Sequence, residues 1–148
     1  MQEIIGIFDT KGDGSEDDGT LYALSSEFMD AAIVLQKTPP VRVNYSSVGY
    51  YLLGHSAELM LKAFLYKNGK TIDDLIKISH DLEKLVSLVR ENGLPEIVQL
   101  NQIRHLAVAY KDKSFEYRTK NKKSFPPIDI LIEEIERLQA AVFNKLWD

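Results

Sequence analysis

The chain has 148 residues, 45% of them hydrophobic and 27% charged, with a formal net charge of −4. Length and composition predict one globular domain with an ordinary core. The absence of cysteine excludes a disulfide framework, a thiolate metal site and a thiol nucleophile. With no signal-peptide pattern and no apolar run of about 18 residues, a cytoplasmic protein with no membrane partner is expected.

In chain order, a short apolar opening leads into "KGDGSEDDG", and residues 1–19 read as an irregular acidic tail or loop. Aligned on the calcium-loop pattern from Asp9, Asp13 and Gly14 fall in register. The third position is then Lys11 and the twelfth Thr20, so a ligand becomes a cation and the bidentate glutamate is missing. A first helix is expected from Thr20 as N-cap to just before Pro39, with Leu21, Leu24, Phe28, Ala31/Ala32 and Leu35 on its inner face. A second, apolar nearly all round, runs from Ser46 and closes at Asn68-Gly69. Thr71 caps a short helical turn, Ser79 is expected to cap a third long helix ending at Asn92-Gly93, and Pro95 to open a fourth through Ile97, Leu100, Ile103, Leu106, Ala107 and Tyr110. Residues 111–125 have no helical period. A last helix starts at Pro126-Pro127, with Ile128, Leu131, Ile132, Ile135, Leu138, Val142 and Leu146 on one face. The expected fold is all-α, an up-and-down bundle of four to five helices over residues 20–148 with a short irregular N-terminal segment.

The second helix carries one polar ribbon. At about 100° per residue, Ser47, Tyr51, His55, Glu58, Lys62 and Tyr66 share an arc of roughly 100°. Glu58 and Lys62, four apart, suit an ion pair. His55 and Glu58, three apart, share a helix face, but a metal site needs further donors and neither His80 nor His105 has ligand-like spacing, so no metal or cofactor is expected. No phosphate-loop motif and no GxSxG elbow occurs. The segment after Tyr110 is different in kind: Lys111, Lys113, Arg118, Lys120, Lys122 and Lys123 surround Phe115, Tyr117 and Phe125. Cations with interleaved rings suit phosphates and single-stranded bases. The reading preferred from the sequence is a solvated loop anchored by its rings, since Phe115 and Tyr117, two apart, would face one side of an extended segment.

Three features in this order, "HSAELMLKAFLYKNG", then "SHDLEKL", then Tyr110 with "FEYR", resemble the HEPN (higher eukaryotes and prokaryotes nucleotide-binding) domain. The matching residues are His55, Glu58, Lys62 and Ala63, then His80, Asp81 and Leu82, then Tyr110, Phe115, Tyr117 and Arg118, and the resemblance spans roughly residues 20–145. It implies a helical bundle, often a homodimer, that acts beside a nucleotidyltransferase-like partner. Many relatives are metal-independent endoribonucleases of toxin or defence type, with an arginine followed after four to six residues by a histidine. None of Arg42, Arg90, Arg104, Arg118 or Arg137 has a histidine at that distance. The expected function is therefore a non-catalytic binding module for a nucleotide, RNA or partner protein, with Tyr51, His55, Glu58, Lys62, Tyr110 and Arg118 lining a cleft and Lys113, Lys120, Lys122 and Lys123 available to nucleic acid. The alternative is a divergent ribonuclease using Arg104, His105 and Arg118. Self-association through Tyr22, Leu146 and Trp147 is a third expectation.

Overall fold

A computed structural model describes residues 17–39, 46–111 and 124–147. Among the described residues every regular element is a helix, and these pack as a helical bundle. In chain order they are α1 (Asp18–Lys37), α2 (Ser46–Lys67), α3 (Ile72–Ile78), α4 (Leu82–Glu91), α5 (Asn101–Lys111) and α6 (Ile128–Leu146). The acidic segment with Asp9 and Asp13, and the basic residues Lys113, Arg118, Lys120, Lys122 and Lys123, lie outside the described residues.

The centre of the bundle is α2. From Ser56 to Leu65 every residue of it is buried, because α1, α4, α5 and α6 all pack against it. Leu53, Leu61 and Leu65 are fully buried, each contributing on the order of 2 kcal/mol. α1 runs antiparallel to α2. Ser25 lies beside Ser56, while Gln36 flanks Gly49 at the other end. The two serines are both buried and satisfy each other: Ser25 Oγ donates to Ser56 O at 2.6 Å, and Ser56 Oγ donates to Ser25 O at 2.8 Å. This pairing turns α1 so that Leu21, Ser25, Met29 and Ala32 face inward. The expected inner positions Leu24, Phe28 and Leu35 are displaced to the half-buried flank.

Several boundaries differ from expectation, each for a capping reason. α1 is capped by Asp17, whose Oδ1 accepts from Thr20 N at 2.7 Å, so Thr20 is inside the helix. α4 is capped by Asp81, whose Oδ1 accepts from Lys84 N at 3.1 Å; Ser79 stands outside it. The fourth expected helix does not begin at Pro95. Pro95 to Val98 form a turn closed by Val98 N donating to Pro95 O at 3.0 Å, leaving Ile97 88% exposed, and α5 starts at Asn101. Leu100, in the cap position, has no side-chain acceptor to offer. Glu134 from α6 supplies one: its Oε2 accepts from Ile103 N at 2.8 Å. A buried carboxylate thus caps a neighbouring helix, where the positive end of the backbone dipole lies.

Candidate functional site

Glu58 projects from the buried stretch of α2 and is 2% exposed. An unpaired carboxylate there would carry a large desolvation cost. It is instead surrounded by donors. Lys62 Nζ, one turn further along α2, donates to Oε2 at 2.8 Å. The Tyr110 hydroxyl, at the end of α5, donates to Oε1 at 2.7 Å, and His80 Nδ1 lies 2.7 Å from that same oxygen. His55 Nδ1 sits 2.9 Å from the Tyr110 hydroxyl and 3.8 Å from Glu58 Oε1.

Burial pushes the Glu58 carboxyl up, but the His80 hydrogen bond and the charge of Lys62, with those of His55 and His80, outweigh it and bring the pKa down to about 2. His55 moves below its ordinary value because burial is the largest influence, with the charges of His80 and Lys62 adding to it against the pull of Glu58. At neutral pH His55 is therefore uncharged, and Lys62 and His80 hold Glu58 ionised. The proton positions follow. A carboxylate only accepts, so His80 carries its proton on Nδ1; Tyr110 spends its hydroxyl proton on Glu58, so His55 Nδ1–H donates to the Tyr110 oxygen.

Local backbone features set each partner in place. Ser79 has φ 58° and ψ −131°, and Asp81 N returns to Ile78 O at 3.4 Å, the geometry of a type II′ turn with a serine where glycine is usual. This turn carries His80 away from α3 and toward α2. Asp81 then caps α4 and also receives Lys111 Nζ at 3.1 Å on Oδ2, tying the end of α5 to the same turn. Gly54 admits Tyr110: a β-carbon there would stand 2.4 Å from Tyr110 Cδ1. Around the polar atoms are rings. The Phe28 edge meets His55 at 4.5 Å, Tyr51 lies parallel to His55 at 6.0 Å, and Tyr110 stands edge-on to His80 at 6.0 Å.

The side chains grade outward from a buried floor. Glu58 is 3% exposed, Lys62 11%, His55 17% and His80 51%, and Tyr51 reaches the surface beside them. Of the expected cleft residues, Tyr51, His55, Glu58, Lys62 and Tyr110 are brought together, and Arg118 lies outside the described residues. Arg104 and His105 are held elsewhere and apart: Arg104 pairs with Glu83 at 3.3 Å, while His105 Nε2 meets Ser124 Oγ at 2.8 Å.

Comparison with protein-family models, with curated proteins and with solved structures returned no match to this chain.

His80 is the site residue that spacing alone did not place in the cleft; the signal for it was its position in the His80-Asp81-Leu82 motif, on the far side of a turn from the helix it serves. Nor do the self-association residues form one exposed patch. Leu146 is buried in the core, and Tyr22 packs on Phe143 at 5.8 Å and on Trp147 at 5.5 Å within the chain, leaving Trp147 57% exposed. No helix among the described residues is long and apolar enough to cross a membrane.

Proposed function

We propose that this chain is a non-catalytic, HEPN-like binding module that recognises an anionic ligand, a nucleotide or the phosphates of RNA, at the mouth of the Glu58 network. One observation carries the reading. His80, Tyr51 and Lys111 gather where the network meets solvent, with Lys111 fastened to Asp81 beside His80. Lys111 is also the last described residue before "DKSFEYRTKNKK", whose cations and rings are the further groups this reading draws on. Cations for phosphate and aromatic faces for bases are the two contacts that single-stranded ligands require. Glu58, held ionised and bonded on both oxygens, acts as the floor that orients these groups rather than as a proton-transfer group. The resemblance to HEPN domains adds an association with nucleotidyltransferase-like partners, and homodimerisation, as expectations of the same reading.

Calorimetric titration of the full chain with mononucleotides and with short single-stranded RNA tests it. The expected result is a saturable heat that weakens steeply as salt rises, falls in Lys111→Glu and Arg118→Ala, and leaves the RNA intact in excess EDTA. Absence of heat with every nucleotide and RNA removes the nucleic-acid reading. Metal-independent cleavage that disappears in His105→Ala would replace it with the ribonuclease.

A further inference from the structure

We infer that His55, Glu58 and His80 form a binding site for one divalent transition-metal ion of the zinc class. The inference is independent of the anionic-ligand reading and stands on donor chemistry and geometry. Two imidazoles and a carboxylate are the donor set of many zinc sites that keep a coordination position open. His55 and Glu58 are one turn apart on α2, and His80 arrives from the turn before α4, so the donors come from separate elements held by the packing.

The distances suit an ion. Glu58 Oε1 lies 3.8 Å from His55 Nδ1 and 2.7 Å from His80 Nδ1, and one donor atom from each of the three residues lies within 4.8 Å of the others. Two ligands each about 2.1 Å from a tetrahedral ion stand about 3.4 Å apart, so shifts of around an ångström bring all three into range. His80 is the group able to make such a shift, being half exposed on a turn, and an ion would arrive past it. In the neutral form each imidazole keeps one proton, which moves from Nδ1 to Nε2 as the Nδ1 lone pair goes to the metal. The ion takes the place on Oε1 now used by His80. Tyr110 keeps its hydrogen bond to Glu58, and Lys62 stays on Oε2. These two steady the ligating carboxylate, as outer-shell groups do in metal sites. With one carboxylate, a lysine and a divalent ion, the filled site carries excess positive charge, which favours an anion or hydroxide in the open position.

The test is titration of the metal-freed full chain with cobalt(II), followed by visible absorption, and with zinc, followed by nitrogen shifts of the imidazoles. The expected result is a stoichiometric tetrahedral cobalt band that zinc displaces, and a switch of His55 and His80 from Nδ1–H to Nε2–H on zinc binding. His80→Ala, at an exposed position, should fold as wild type by circular dichroism and lose at least tenfold in cobalt affinity. The tautomer readout needs no variant, so it decides the matter even where a substitution disturbs folding. Imidazoles that keep their Nδ1 protons at saturating zinc, or a cobalt band unaltered in His80→Ala, overturn the site, the latter by showing that the ion sits elsewhere.

Discussion

Tyr110 lies so close over Gly54 that a β-carbon at position 54 would meet its ring at 2.4 Å and 2.7 Å. The backbone of α2 and the ring of α5 are thereby in direct contact, and this brings the Tyr110 hydroxyl to Glu58. Alanine is ordinarily favoured over glycine inside a helix by roughly 1 kcal/mol. Here the sign reverses, since both the ring and the helix would have to move. Gly54→Ala is expected to destabilise the protein by about 1–3 kcal/mol, the usual cost of overpacking. Urea unfolding measures it. Adding Tyr110→Ala should make the second change less costly than in wild type, a coupling expected of residues in contact; strict additivity would show that the ring does not bear on residue 54.

Lys62 and Glu58 form an ion pair in a stretch of α2 that is otherwise apolar and covered on all sides. Removing one charge strands the other. Glu58→Leu is expected to cost about 3–5 kcal/mol, as for other broken buried pairs, whereas Glu58→Leu with Lys62→Met should recover a large part of that loss. Chemical denaturation of the single and double variants distinguishes the cases. A double variant as unstable as Glu58→Leu would mean that His80 and Tyr110, rather than Lys62, depend most on the carboxylate.

Acid should weaken the fold through two groups of this network. Glu58 has a folded pKa of about 2 against an ordinary 4.5. Its contribution is complete above 4.5 and is lost as pH falls toward 2, amounting to about 3 kcal/mol at about 1.4 kcal/mol per pH unit. His55 is lowered below 6.5, so the unfolded chain takes up its proton first and stability begins to fall below pH 6.5. Both act in the same direction. Glu134 acts oppositely: burial, the largest influence, raises its pKa against its backbone hydrogen bonds, so it disfavours the fold as pH rises through that value. Unfolding free energies measured from neutrality downward should therefore show a two-stage decline, and Glu58→Gln should erase the lower stage. An unchanged lower stage in that variant would assign it to other carboxylates.

How much of this was legible beforehand follows from the range of each signal. The all-helical bundle came from periodicity, and the pair Glu58–Lys62 from a spacing of four. Tyr51 and His55 share the ribbon on α2, and Tyr110 was joined to them through the family resemblance; the structure brings the three side chains into contact with one another. The tertiary partners were beyond such patterns. His80 reaches Glu58 across 22 residues by way of a serine in a glycine-like conformation, and no propensity announces that. The buried face of α1 was misplaced by one helical step because Ser25, polar by type, is satisfied by Ser56. The start of α5 was misread because its cap is a glutamate on another helix.

That cap yields a separate expectation. Glu134 is 6% exposed and accepts from Ile103 N, in the first turn of α5. Replacing a capping acceptor ordinarily costs about 1 kcal/mol, and burial of the orphaned N–H adds to it. Glu134→Ala is expected to lose about 2 kcal/mol, with amide exchange accelerating first at Gln102 and Ile103. Hydrogen exchange by nuclear magnetic resonance reads this directly. Protection of these amides equal to that in wild type would show that another acceptor takes over.

Ser79 tests whether backbone strain positions His80. A non-glycine residue at φ 58° and ψ −131° carries a penalty on the order of 1–3 kcal/mol. Glycine relieves it but gains freedom in the unfolded chain, worth about 0.4–1 kcal/mol in the other direction. Ser79→Gly is therefore expected to leave stability unchanged or raise it by up to about 2.5 kcal/mol, with the Nδ1 proton of His80 as strongly hydrogen-bonded as before. Ser79→Val, whose branched side chain opposes this conformation, should lose about 2 kcal/mol and weaken that proton's bond to Glu58. Thermal unfolding together with the imidazole proton shift separates the two effects. If valine leaves both unaltered, the turn is dispensable and Glu58 alone draws the imidazole into place.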